Sequence, residues 1–225
     1  MGFEPMNANV LMSGFEAIPV NGSSSMIKRA LDVTLACICV ALFAPLMIFI
    51  GLTVWASDRG PMFFGHERIG LGGRRFRCWK FRSMVPDAST VLAEYLAAHP
   101  EAKLEWELSH KLKHDPRITP IGRFLRASSL DELPQLFNVL SGEMSLVGPR
   151  PIVTGEVARY GASFGHYCSC RPGITGLWQI SGRSDVSYDQ RVAFDTTYAL
   201  TRTTWLDLRV LFMTIPAVLM RRGSY

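Results

Sequence analysis

An adjacent pair of carboxylates, Asp131 and Glu132, sits in the run Ser128-Ser129-Leu130-Asp131-Glu132-Leu133-Pro134-Gln135-Leu136. Arg126 precedes the pair and Gly148-Pro149-Arg150-Pro151 follows it. Two kinds of chemistry fit these residues. In the first, Ser129-Leu130-Asp131-Glu132 is an S-x-x-E capping box, Glu132 merely returns to the Ser129 amide, and Asp131 favours the positive end of a helix. In the second, helix-start amides attract phosphate oxygens and the dipole keeps Asp131 ionised as a nucleophile, while Arg126 and Arg150 neutralise a diphosphate. A helix beginning at Pro134 would instead leave both acids in the preceding loop. Successive helical residues point about 100° apart, so the two acids should hold different roles: one attacks, the other orients a metal or acts as a base. Mg²⁺ is the expected companion, with Asp131 as its candidate ligand, because that ion is commonly held by one or two carboxylates together with substrate phosphates.

The elements around the pair carry further cations. Pro61 to Met84 is predicted to form two short strands joined through Gly70-Leu71-Gly72-Gly73. On the second strand Arg74, Arg75, Arg77, Lys80 and Arg82 interleave with Phe76, Trp79 and Phe81. That alternation suits nucleic acid, a membrane interface or an anionic pocket. No βαβ unit follows the glycines, so they mark a hairpin turn rather than a dinucleotide fingerprint. Ala88 to Lys113 is predicted helical with a break near Pro100 and a stop at Asp115-Pro116. The segment Arg171 to Arg183 is dense in glycine and hydroxyls and could bring backbone amides close to an anion.

Composition narrows the setting. The 225-residue chain carries a net charge of +5 and is 48% hydrophobic, with a mean hydropathy of +0.15 and a pI near 9.1. A basic balance favours an anionic partner. The five cysteines are odd in number and lack a CxxC pair, which reads as reduced thiols in a cytosol-facing protein. Cys168 and Cys170 with His166 lack a fourth ligand for zinc. Residues 1–25 are expected to be a disordered tail.

Val33 to Ser57 carries no charge and, at about 25 residues, is long enough to cross a hydrocarbon core. Pro45 near its middle permits a kinked single span or a helix-break-helix hairpin that enters and leaves by one leaflet. Lys28 and Arg29 lie before it, and Arg59, Arg68, Arg74 and Arg75 after it. Basic flanks mark the cytoplasmic face, so two basic flanks favour the hairpin. Leu206 to Met220, with Pro216 and the closing Arg221-Arg222, suits a helix lying in the interface or buried in a core.

Taken together, Lys80-Phe81-Arg82-Ser83-Met84, Asp115-Pro116-Arg117-Ile118-Thr119, Ser129 through Leu136, Ser145 through Pro151 and Arg171 through Arg183 resemble the bacterial sugar transferases, the monotopic polyprenyl-phosphate phosphoglycosyl transferases. The resemblance spans roughly Lys28 to the C-terminus. It implies an α+β, mostly helical fold: a re-entrant membrane helix over 26–58 and a cytoplasmic catalytic domain over 59–225 with a small β-hairpin and interfacial amphipathic helices. It implies transfer of a sugar phosphate from a UDP-sugar to undecaprenyl phosphate, with release of UMP, at the bacterial inner membrane. On this resemblance Asp131 attacks the β-phosphate and holds the phosphosugar, and Glu132 completes the dyad. Arg150 contacts the nucleotide sugar, and Lys80, Arg126 and Arg183 hold phosphate oxygens, with Arg82 beside them. Asp195 and Asp207 fall in similar C-terminal motifs and either bind substrate or fix a helix. Ala44 stands before Pro45 where some members have serine. Val186-Ser187-Tyr188, Phe194-Asp195 and the Arg222-Gly223-Ser224-Tyr225 ending look most like the galactosyl-phosphate transferases that begin rhizobial exopolysaccharide. UDP-galactose is therefore the expected donor, with UDP-glucose or a catalytically silent scaffold as alternatives. The expected partners are the UDP-sugar, undecaprenyl phosphate, inner-membrane lipid and, optionally, a second copy of the chain, but not nucleic acid.

Overall fold

A computed structural model of the chain describes residues 22–109, 112–181 and 186–219. Most of the expected tail lies outside the described residues, and Gly22–Ser25 already belong to the first helix. That helix, α1, runs from Gly22 to Asp58. Strands β1 (Phe63–Ile69) and β2 (Arg75–Phe81) follow as the expected hairpin, and helices α2 (Ala88–Ala98) and α3 (Pro100–Ser109) are parted at His99 as expected. Next come α4 (Pro120–Ser128), a 3₁₀ turn (Leu130–Glu132), α5 (Gln135–Ser141) and β3 (Ser145–Val147). The short helices α6 (Val157–Tyr160) and α7 (Phe164–Cys168) lead to β4 (Gly173–Thr175) and α8 (Leu177–Ile180). Helices α9 (Tyr188–Thr201) and α10 (Thr204–Leu219) complete the described chain. Among the described residues the fold is mostly helical with two two-stranded sheets.

The sequence reading left a kink or a break at Pro45 open, and α1 has helical backbone on both sides of Pro45, which lies inside it. A proline removes a single helical hydrogen bond, and in an apolar segment local adjustment lets the helix continue. Among the described residues α1 is the one helix long and apolar enough to cross a membrane. It stops where Arg59 turns left-handed at φ 60° and donates its amide to Trp55 O at 2.7 Å, a helix-ending geometry that satisfies an otherwise orphaned carbonyl.

The chain forms two compact units, each discontinuous in sequence. The larger takes the described residues of Met1–Ala44, Gly65–Trp79 and Pro134–Ser224; the smaller takes Pro45–Phe64 and Lys80–Leu133.

In the larger unit, Ala36 of α1 shares a core with Phe76, Cys78, Leu136, Val147, Tyr198 and Val210. Polar groups near the start of α1 are spent inside the unit. Arg29 donates to Val139 O at 2.6 Å and Leu140 O at 2.9 Å, carbonyls in the last turn of α5, where intrahelical partners run out; Val139 O also takes the Gly142 amide at 3.1 Å. Buried Asp32 accepts the Leu146 amide at 3.0 Å. Buried Asn138 accepts from Trp79 N and donates to Arg77 O, at 2.9 and 2.7 Å. Strands β3 and β4 pair in parallel, Ser145 with Gly173 and Val147 with Thr175. The backbone approaches so closely beyond them that a Cβ on Gly148 would stand 2.3 Å from Arg171 O. A second core gathers Ile69, Ile152, Tyr160, Phe164 and Tyr167.

In the smaller unit, Met47, Ile50 and Val54 of α1 pack with Phe81 and Leu125, and Ile121, Leu130 and Leu133 close the edge. Their spacing of three and four puts the α1 residues on one helical face. Phe81 and Leu125 are buried almost completely, worth roughly 1.5–3 kcal/mol each by transfer from water.

Candidate active site

The acidic pair is held by the smaller unit. Helix α4 starts with Thr119 as its N-cap, whose hydroxyl accepts the Gly122 amide at 3.0 Å, and Pro120 fills the position where no amide hydrogen is needed. It ends at Ser129, which is left-handed at φ 58°. Ser129 makes no side-chain cap, so the capping box is not formed. Helix α5 begins only at Gln135, after Pro134. Asp131 and Glu132 therefore lie in the 3₁₀ turn between two helices, as the reading from Pro134 anticipated, and not in the first turn of a helix.

Leu130 and Leu133 face the core on either side of the pair, which draws Asp131 in until it is 6% exposed. Lys80, at the end of β2, reaches both acids: its Nζ lies 2.6 Å from Glu132 Oε1 and 3.5 Å from Asp131 Oδ2. The first is a charge-assisted hydrogen bond, and the second is a charge contact at the limit of bonding distance. Burial raises the pKa of Asp131, the Lys80 ammonium opposes that, the neighbouring Glu132 adds to it, and Arg126 lowers it again. The net direction is upward. With both acids in a 3₁₀ turn rather than at the start of a longer helix, Lys80 and Arg126 are the groups that favour the carboxylate here.

Arg126, in the last turn of α4, donates from Nε to Ser83 Oγ at 2.8 Å. Its pKa is lowered by burial, against the raising influence of Asp131 and Asp115. Asp115 grips Arg117 through Nε and Nη2, at 2.8 and 2.6 Å, while Trp106 lies under the same guanidinium at 4.9 Å. Gly122 allows α4 to lie against Ser83, where a Cβ would stand 2.0 Å from the Ser83 carbonyl oxygen. Arg82 is buried and paired with Asp58 at the end of α1.

The other expected residues belong to the larger unit. Arg150 is exposed, with its guanidinium 5.3 Å over the Trp178 ring. Asp195 is 1% exposed and accepts the Tyr160 hydroxyl at 2.7 Å. Burial pushes its pKa up to about 6, against the Tyr160 hydrogen bond, the Arg191 charge and a bond from the Arg150 amide. Asp207 accepts from Lys28 at 2.8 Å and from the Tyr198 hydroxyl at 2.7 Å. Both aspartates thus spend oxygens on helix-to-helix or helix-to-loop bonds within their unit. Arg183 lies outside the described residues.

Among the described residues no three His, Cys, Asp or Glu side chains converge on a metal position. Two neighbouring carboxylates, one of them buried, suit an ion that keeps much of its shell as water and phosphate oxygen, and Mg²⁺ has that habit. Asp131, with Glu132 beside it, is the set that would hold it.

The family's sequence profile, described as bacterial sugar transferase, matches residues 23–221. The chain belongs to the bacterial sugar transferase family. It is 52% identical over 203 residues to an undecaprenyl-phosphate galactose phosphotransferase of Salmonella typhimurium, covering 90% of this chain and 42% of that protein. It is 50% identical over 207 residues to the exopolysaccharide production protein ExoY of Rhizobium meliloti, covering 92% of this chain and 90% of that one. A UDP-glucose:undecaprenyl-phosphate glucose-1-phosphate transferase of Klebsiella pneumoniae is 34% identical over 215 residues, covering 92% of this chain and 43% of that one. The chain thus spans under half of the Salmonella and Klebsiella proteins and nearly all of ExoY.

Sequence reasoning missed Asp32, Asp58 and Asn138 as anchors. Asp58 looked like an unremarkable polar residue at a helix end, and Asn138 like one inside a short helix. Asp32 and Asp58 bracket the uncharged stretch, but nothing in the sequence named their partners.

Proposed function

We propose that the chain transfers a sugar phosphate, with galactose phosphate favoured, from a UDP-sugar to undecaprenyl phosphate as the first membrane step of exopolysaccharide synthesis. The observation that carries this reading is the grip of Lys80 on two adjacent acids in a partly closed turn, within a chain of this family. An Asp131 oxygen forms a bond to the β-phosphorus of the donor, the bond from that phosphorus to the bridging oxygen breaks, and UMP leaves with the electron pair. An oxygen of undecaprenyl phosphate then attacks the same phosphorus, releasing the Asp131 carboxylate and yielding the lipid diphosphate sugar. Glu132 is available to orient the attacking group, while Lys80 and Arg126 hold phosphate charge. Mg²⁺, when bound, would neutralise the diphosphate. The donor assignment rests on the higher identity to the galactose-named relative than to the glucose-named one.

Contacts within the larger unit support a re-entrant reading of α1. Lys28 and Arg29, before the apolar stretch, bond to residues 139, 140, 147 and 207. Phe76 and Cys78, after it, share the core of that same unit. A straight span would part these flanks by a hydrocarbon core of about 30 Å. Pro45 is the natural place for the return.

The test is UMP release by the detergent-solubilised full chain given Mg²⁺, undecaprenyl phosphate and UDP-galactose or UDP-glucose in parallel. Release with UDP-galactose and none from Asp131→Asn supports the reading. Release only with UDP-glucose moves the donor assignment, and silence with both sugars supports a scaffold role.

A further inference from the structure

Asp58 closes the long apolar helix, and its carboxylate faces two donors. Oδ1 accepts the Gly60 amide at 3.0 Å and also takes the Arg82 guanidinium. Arg82 is the more enclosed partner, its side chain 7% exposed against 26% for Asp58. Gly60 covers that guanidinium, so that a Cβ there would fall 2.1 Å from Nη1. Nη1 is buried without a hydrogen-bond partner. A guanidinium stays protonated in proteins, and among the described residues Asp58 is its ion-pair partner.

Arg82 stands between two contacts that build the site. Two residues earlier, Lys80 holds Glu132 and Asp131. One residue later, Ser83 accepts from Arg126. The Arg82 amide donates to Met62 O at 2.9 Å, tying the same stretch to the chain that leaves α1. The geometry points to Asp58 as a positioning residue of the transferase site: it fixes Arg82, and Arg82 fixes the stretch 80–83 that presents Lys80 to the acids and Ser83 to Arg126. This inference rests on the transferase reading for its kinetic consequence. Its structural part concerns Lys80 alone and is measured separately. Neither Asp58 nor Arg82 needs to touch substrate. Removing the acid leaves a buried charge uncompensated, which is among the costliest single changes in a protein interior. The guanidinium relieves itself by moving toward water, and residues 80–83 move with it.

Two readouts on the full chain in detergent test this. The first is acetylation of Lys80 by a water-soluble reagent, read by mass spectrometry against exposed Lys103 as an internal standard. Labelling of Lys80 is expected to rise about fivefold in Asp58→Asn and in Gly60→Ala, which keeps both charges but displaces the guanidinium, and to stay within twofold of wild type in Asp58→Glu. The second is UMP release per folded enzyme. Asp58→Asn and Gly60→Ala should lose at least tenfold in kcat while the donor KM stays within threefold, and Asp58→Glu should restore at least a third of the wild-type kcat. Wild-type Lys80 labelling in both Asp58→Asn and Gly60→Ala overturns the inference. So does a folded Asp58→Asn variant that keeps kcat, or one that loses only donor KM, since that pattern makes Arg82 a substrate contact. If Asp58→Asn does not fold, Gly60→Ala decides on the same two criteria. A wild-type enzyme that releases no UMP counts against the transferase reading, while the labelling still judges the clamp.

Discussion

On the proposed mechanism Asp131 carries negative charge where water is largely excluded, and its neighbours set how well it can. Burial and Glu132 favour the protonated acid, while Lys80 and Arg126 favour the carboxylate. A nucleophile needs the carboxylate, so activity should fall as pH drops through the Asp131 pKa. In Lys80→Met the opposing cation is gone, the pKa rises further, and the acid limb of the kcat/KM profile should move to higher pH. The maximum should fall by about 10²-fold, the usual scale for one electrostatic contact in a site. An unmoved limb would show that another group titrates. Asp195 gives a stability prediction with the same sign logic. Its folded pKa of about 6 exceeds the ordinary 3.8, so the native state binds the extra proton between those values. Its contribution is present below pH 4 and lost as pH rises through 6, on the order of 2–3 kcal/mol. Asn keeps an acceptor for Tyr160 and cannot ionise, so Asp195→Asn should flatten the fall in melting temperature between pH 5 and pH 7.5. At this scale the sequence showed the reactive types but not their anchors. Asp131, Glu132 and Arg126 stood out because acids and a cation share one short run, and Lys80 through the family motif; the contact of Lys80 with the acids 51 and 52 residues away was not legible. Asp32 and Asn138 were no more legible, since each acts on chain more than fifty residues away.

Among the elements, the hairpin and the helix pair broken at Pro100 could be read from alternation and from proline. The β3–β4 ladder could not, because three residues on each side carry no usable period; its trace was the glycines that close approach demands. The capping box misled for a physical reason. Its Ser must be extended for its hydroxyl to reach the third amide, and Ser129 is left-handed, ending one helix rather than starting another. Helix α4 matters because it carries Arg126 against Ser83. Gly122→Ala places a methyl into the Ser83 carbonyl, so the helix must lift. Stability should fall by about 1–3 kcal/mol in chemical denaturation, with a loss of kcat, since Arg126 lifts with it. Unchanged kcat in the folded variant would separate Arg126 from the reaction.

At the level of the whole molecule, the apolar surface is arranged by burial. In α10, Val210 is buried, while Trp205 and Phe212 are each 76% exposed. The sequence left an interfacial helix and a core helix equally open for this segment, and the structure gives one side of α10 to each. Lipid is the natural occupant of the exposed side. Trp205→Glu with Phe212→Glu should raise the KM for undecaprenyl phosphate in vesicles severalfold and leave the UDP-sugar KM unchanged; an equal change in both would point to misfolding. Re-entry of α1 predicts that Ser13→Cys and Arg75→Cys, each in a cysteine-free background, react with an impermeant maleimide in inverted vesicles and not in spheroplasts. Opposite accessibility of the two would establish a span.

The long helix is divided between the two cores: Ala36 fills one, and Met47, Ile50 and Val54 fill the other. It is therefore not a detachable leader. A gene trimmed to begin after Asp58 would encode a chain whose Phe81 and Leu125 face solvent in one half and whose Leu136 and Val147 lose cover in the other. Such a fragment should enter inclusion bodies rather than yield a free enzyme.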